Sequence, residues 1–325
     1  MDLNKAATPQ SASKTGVIAA FAAIYVVWGS TYLGILYALE SFPPFLLAAF
    51  RFIVAGLLLL GWSFLQGERL PPMSSMGRIT LAGLLMLYLG NGAVTWVEQY
   101  LPSGLAAIVV ATVPLWFVLL DRRQWSYYFS NGGIIAGLLI GFAGVLVLFA
   151  GKESTGIFNT PVKLVSLGVL VCGTIGWAVG SLYTKYQQMQ GSTTMRAGLQ
   201  MLAAGFAFLV TAALTKECRS FAFSAVTTRS LLALVYLIIF GSLIGYLAYI
   251  WLLRVRPASL VGTYAYVNPV VAVFLGWAFA GESISLQQMI GLGIIIGGLL
   301  LVNLYKEKTS APEKTLPLGI NTQEV

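Results

Sequence analysis

The sequence predicts an all-α integral membrane protein: ten transmembrane helices arranged as two inverted five-helix repeats. Three observations carry that prediction. The 325-residue chain is 58% hydrophobic and only 9% charged, whereas a soluble domain carries roughly 25% charged residues. Apolar runs close to the ~20 residues that cross a bilayer recur ten times, near 16–38, 44–66, 78–98, 102–120, 131–150, 163–185, 195–215, 230–253, 258–280 and 286–305. Residues of the first half also reappear in the second at nearly constant offsets. Trp28, Arg51 and Gly56 match Trp177, Gln200 and Gly205, 149 residues on. Trp96, Pro102 and Pro114 match Trp251, Pro257 and Pro269 at an offset of 155, and Gly137 and Gly144 match Gly291 and Gly298 at 154. The offset drifts only at loops, as in a duplicated chain. Five helices per half is an odd number, so the second half enters the membrane from the opposite side. The resulting division is a tail at 1–14, a first repeat at 15–151, a second at 163–305 and a tail at 306–325. The first segment runs straight into the second with no cleavage site before a soluble domain, and is expected to be retained as a helix.

Each segment contributes its own signal. In the first, Trp28, Thr31 and Tyr32 of VVWGSTY fall on one helical face at mid-span. An indole N–H at that depth needs a partner, a packed neighbour helix or a wet cavity. The second segment holds Arg51, the only basic residue inside a span. Intramembrane arginines face the bundle interior and take a partner; Glu98 and Glu40 are the candidates by depth, and both a structural clamp and a substrate contact stay open. The third carries LGNGAVTWVEQ, in which Asn91, Thr95 and Glu98 share a face, either as interhelical glue or as a cavity wall. The fourth contains Pro114. The sixth adds Trp177 and Ser181, and the eighth Tyr246 with Tyr249. In the ninth, LVGTYAYVNPVVAVF, Asn268-Pro269 interrupts the backbone ladder. Tyr264 and Asn268 share one face there, while Tyr266 points elsewhere. Paired kinks at Pro114 and Pro269 in inverted halves point to the binding region. The glycine pairs Gly137/Gly141, Gly176/Gly180, Gly241/Gly245 and Gly293/Gly297 suggest close packing only. The other tryptophans, Trp62, Trp96, Trp116, Trp125, Trp251 and Trp277, fit interfacial anchoring.

Charge sets the orientation. With the N-terminus cytoplasmic, the inner side holds 13 Lys and Arg and the outer side 5, so the positive-inside rule puts both termini in the cytoplasm. The net charge of +8 is then a topology signal, with no nucleic-acid partner implied. The chain has two cysteines and no histidine, which removes a Cys/His metal site. The only aspartates, Asp2 and Asp121, lie outside the spans, so an intramembrane hydrolase lacks its catalytic groups. No nucleotide-binding loop is present. No enzyme activity and no cofactor are expected. Inverted repeats around a midplane site favour a carrier over a channel.

The runs WGSTYLGILYALESFPPFLLAAFRFIVAGLLLL, GNGAVTWVEQYLPSGLAAIVVATVPLW and TYAYVNPVVAVFLGWAFAGE resemble EamA-domain proteins of the drug/metabolite transporter superfamily, in particular the YedA-like bacterial inner-membrane subgroup. The likeness spans roughly 15–305. It implies a ten-helix carrier, usually an exporter of small metabolites or amino acids, in the bacterial inner membrane. The small multidrug-resistance branch uses a glutamate in mid first helix, but this chain has no acid there before Glu40. The expectation is a secondary transporter moving a small polar or zwitterionic metabolite by alternating access, with Trp28, Thr31, Tyr32, Arg51, Asn91, Thr95, Glu98, Trp177, Ser181, Tyr246, Tyr264 and Asn268 at the site. In that scheme Arg51 draws a carboxylate and Glu98 an amino group. A carrier of amphipathic drugs and a channel or lipid-moving protein of the same fold are the alternatives. Partners are the bilayer and a small solute, and the protein acts as monomer or homodimer.

Overall fold

A computed structural model describes residues 13–101, 103–149, 160–280 and 285–309. Most of both expected tails, 1–12 and 310–325, lies outside the described residues, as does Pro102. The helices are α1 (Lys14–Leu39), α2 (Pro44–Leu65), α3 (Met73–Val97), α4 (Ser103–Val110 and Val113–Leu120), α5 (Gly132–Phe149), α6 (Pro161–Tyr186), α7 (Thr193–Leu214), α8 (Thr228–Val255), α9 (Ala258–Gly262 and Tyr264–Ala280) and α10 (Leu286–Thr309). Their starts are written locally. Ser13, Ser192 and Thr227 each accept a backbone N–H from the first turn of α1, α7 and α8, the usual N-cap arrangement. Pro44 and Pro161 open α2 and α6, where a missing N–H costs nothing.

Several helices outrun their apolar segments. α3 begins at Met73 and α8 at Thr228, because hydropathy marks the part in lipid while the helix continues into the headgroups. Eight of these helices are long and apolar enough to cross a membrane unaided. The other two are α4, interrupted at Ala111–Thr112 just ahead of Pro114, and α5, whose preceding stretch Arg122–Phe129 is bent from it by 98°. Pro269 behaves differently from Pro114. It stays inside Tyr264–Ala280, and the interruption of α9 falls upstream at Thr263.

Packing repeats the duplication. α5 runs along α10 and α2 along α7, while α3 lies on α6 as α1 lies on α8. α4 meets α6 as α9 meets α1. Exchanging the halves maps this set of contacts onto itself, which is the pattern of a pseudo-two-fold axis. Matched glycines sit on that axis. A Cβ on Gly56 would meet the Gly198 carbonyl at 2.9 Å, and one on Gly205 would meet the Ile53 nitrogen at 2.9 Å. Along α5 and α10, Gly137, Gly144, Gly291 and Gly298 bring backbone against backbone. Gly293 and Gly297 have nothing within 4 Å, so that pair makes no contact of the expected kind.

One symmetric feature has no signature in the residue pattern. α3 and α8 each pass through a π-helical stretch, Leu84–Asn91 and Leu237–Tyr246. The two stretches end at equivalent residues, 155 apart. Wide turns of this kind concentrate at functional sites, and both border the cavity described next.

Candidate functional site

A cavity of about 90 Å³ lies at the centre of the bundle, large enough to hold several waters. α1 contributes Trp28, Thr31 and Tyr32 as a single wall, and α2 contributes Arg51. Asn91 ends the π stretch of α3, Trp177 projects from α6, and Tyr246 closes the π stretch of α8. Tyr264 and Asn268 come from one face of α9. Tyr266 points away, donating its hydroxyl to the Leu138 carbonyl at 3.0 Å.

The two duplicated tryptophans meet. Trp28 and Trp177 stand edge to face with centroids 5.6 Å apart, and Tyr249 and Tyr264 complete the cluster at 5.0 and 4.8 Å from Trp28. Edge-to-face rings place positive edges on negative faces. Both indole tips are satisfied. The Trp28 indole donates to the Gly241 carbonyl at 3.1 Å, within the π stretch of α8. The Trp177 indole donates to the Tyr249 hydroxyl at 2.9 Å, which also bonds the Ser181 hydroxyl at 2.8 Å. Gly245 is what admits Trp28, since a Cβ there would fall 2.4 Å from its Nε1.

Arg51 is 5% exposed and donates from Nε to the Ser242 hydroxyl at 2.9 Å. Its guanidinium lies 5.0 Å from the Phe52 ring centroid. The expected carboxylate partners are not its contacts. Glu40 pairs at the surface with Arg229 at 3.5 Å, and no ion pair within 4.0 Å joins Arg51 to Glu98 among the described residues. Glu98 is not among the residues that line the cavity. Arg51 therefore ties α2 to α8 instead of clamping α2 to α3.

Three further expected residues fall outside the lining. Glu98 sits past the end of α3 with a buried Oε1 that has no hydrogen-bond partner. Thr95 spends its hydroxyl on the Asn91 carbonyl one turn back, at 3.1 Å, and Ser181 supports Tyr249 from the second layer. Beyond the π stretch α3 is regular over Gly92–Val97, so these residues keep their spacing, but the lining along α3 runs only as far as Val94 and stops short of Thr95 and Glu98. In the opposite sense, Ser242 and Thr174 line the cavity without having been singled out. Both are small hydroxyl residues in apolar runs, a signal too common to select them. Among all lining polar atoms two are conspicuous: Oδ1 of Asn91 and Oδ1 of Asn268 are buried acceptors with no donor. Buried polar groups are nearly always paired, so this cavity is bordered by one cation and two acceptors whose hydrogen-bonding capacity is unfilled.

A family model described as the EamA-like transporter family matches residues 14–150 and again 164–304. The chain belongs to this family. The inner membrane transporter YedA of Escherichia coli strain K12, described as uncharacterized, is 39% identical over 286 residues, 87% of this chain and 89% of that one. The uncharacterized transporter YvbV of Bacillus subtilis strain 168 is 26% identical over 95% of this chain and 96% of its own. Protein PecM of Dickeya dadantii is 26% identical over 85% of this chain and 88% of its own. A crystal structure 20% identical in sequence superposes with a TM-score of 0.73, covering 92% of this chain and 100% of that one; it shows the fold. Two EamA units in one chain make an integral membrane secondary transporter with inverted repeats. In this EamA transporter the cavity lies where the repeats meet, with the equivalent residues Trp28 and Trp177 in contact with each other in its lining.

Proposed function

We propose that the chain exports a small zwitterionic metabolite, such as an amino acid, across the bacterial inner membrane by alternating access, with both termini cytoplasmic. One observation carries this: a single cation, Arg51, shares a cavity with two unpaired acceptors, Asn91 Oδ1 and Asn268 Oδ1. A carboxylate completes the guanidinium, whose planar donors suit it. An ammonium completes the two amide oxygens, and the faces of Trp28, Trp177 and Tyr264 add cation–π attraction. The amino-group role passes from Glu98 to these side chains. Aromatic rings around the polar groups exclude water and give the hydrogen bonds their strength. Inverted repeats supply the motion, with one bundle rocking against the other around the site.

Counterflow in proteoliposomes tests the substrate class. Amino acids on the inside should drive uptake of a labelled amino acid, saturably, and cationic amines and amphipathic drugs should not compete. Arg51→Ala should lower transport at limiting substrate by at least about thirtyfold, the cost of truncating one partner of a buried charge pair. If no amino acid exchanges while other solutes do, the zwitterion assignment falls and the carrier remains. Unchanged transport in the variant removes Arg51 from the site.

A further inference from the structure

A second cavity, of about 400 Å³, opens between the ends of α3, α6, α7 and α8. It lies on the face that the Lys/Arg asymmetry assigns to the cytoplasm. Arg78, Lys185, Arg196 and Arg254 line it, and no acidic side chain does. Three of these cations are held in place by part of their donor set. Arg78 Nη1 donates to the Gln188 carbonyl at 3.0 Å, Arg254 Nη1 to the Thr193 hydroxyl at 2.8 Å and Lys185 Nζ to the Leu253 carbonyl at 2.7 Å. Arg196 is 6% exposed, with Nε on the Ser192 carbonyl at 3.3 Å and a buried Nη2 that has no partner. It also lies within reach of the like charge of Arg254. Two carboxylates sit close by but outside the lining: Glu68 accepts the Ser192 N–H at 3.3 Å and Asp121 takes the Tyr186 hydroxyl at 2.8 Å. A buried guanidinium without an anion is strongly unfavourable. Four converging cations with no acidic side chain among the lining residues also focus a positive potential into the opening.

Only one layer of side chains separates this vestibule from the central cavity. Thr184 lines the vestibule and Tyr246 lines the cavity. Gln200 joins them, donating to the Thr184 hydroxyl at 3.4 Å and accepting the Tyr246 hydroxyl at 2.9 Å. Met86 fills the remaining gap, its sulfur accepting from the Thr184 hydroxyl at 3.6 Å and lying 3.7 Å from the Tyr246 hydroxyl oxygen.

We propose that the vestibule is an oxyanion-binding site, taking a carboxylate or phosphate group through Arg196 and Arg254. A soluble organic anion and an anionic lipid headgroup both carry that chemistry. The Gln200 layer leads from the vestibule towards Arg51, so a soluble anion held there stands one step from the transport cavity. The site is independent of which solute the cavity carries.

The test uses full-length protein in nanodiscs of neutral phosphatidylcholine, titrated calorimetrically with inorganic phosphate and with citrate at constant ionic strength. Saturable binding is expected, about tenfold weaker in Arg196→Gln and in Arg254→Gln, each losing a charged hydrogen bond. Arg254 is exposed, so its variant folds even if the Arg196 variant does not. A second arm uses discs containing phosphatidylglycerol. Anions displaced there, together with lipid that stays with the wild type but not the variants, identify the headgroup as the source and leave the oxyanion site standing. Absence of saturable binding in both arms, or binding insensitive to both variants, overturns the proposal.

Discussion

Gly298 and Gly293 lie on the same helix, and the structure gives them opposite fates when each is changed to alanine. At Gly298 a Cβ would meet the Gly141 nitrogen at 2.5 Å, the Gly137 carbonyl oxygen at 2.7 Å and the Gly141 Cα at 2.9 Å. All three atoms belong to the backbone of α5, so no side chain can rotate away. Comfortable heavy-atom separations are roughly 3.5–4.0 Å, and restoring them requires α10 to move off α5 by about 1 Å. That shift would loosen one of the two most extensive interhelical seams, and overpacking of this kind costs about 1–3 kcal/mol. At Gly293 a Cβ finds nothing within 4 Å, and only the gain in helix propensity remains, at most about 1 kcal/mol. The propensity gain is common to both variants, so their difference isolates the seam. Thermal unfolding of purified protein, followed by tryptophan fluorescence, should place Gly298→Ala a few degrees below Gly293→Ala. Equal melting temperatures, or a lower one for Gly293→Ala, would refute the packing of α5 on α10.

Two further outcomes follow from the cavity itself. Asn91→Ala and Asn268→Ala should each raise the KM for an amino acid about tenfold, the worth of a hydrogen bond to a charged group; unaltered KM in both would exclude the amide oxygens from the substrate. Tyr249→Phe strands the Trp177 indole N–H, whose acceptor at 2.9 Å is the Tyr249 hydroxyl, and should destabilise the protein by about 1–3 kcal/mol. An unchanged melting temperature and an unshifted tryptophan emission would show that this bond does not exist in the membrane.

The sequence by itself determined the membrane class, the ten spans, the duplication and a large part of the cavity's polar and aromatic lining. Lipid leaves a chain few choices: spans must be about 20 apolar residues long, and polar residues within them must face inward. Nine of the twelve residues chosen on that ground line the cavity, Trp28, Arg51 and Asn268 among them. The pairing of Trp28 with Trp177 was visible as an offset before it was visible as a contact. What only the tertiary structure decided is how partners are shared. Arg51 bonds Ser242 on α8, and depth along the sequence cannot say which neighbouring helix will present an acceptor. Glu98 and Thr95 lie outside the cavity because its lining along α3 ends at Val94, and spacing on one helix cannot say how far along it the neighbouring helices leave a space. The break in α9 falls at Thr263 and not at Pro269, and α1 packs closely on the unbroken part at Gly29, where a Cβ would crowd Val271 at 2.6 Å and the Asn268 carbonyl at 3.3 Å. Single helices are specified locally by solvation, but the polar contacts between them depend on where the other helices settle.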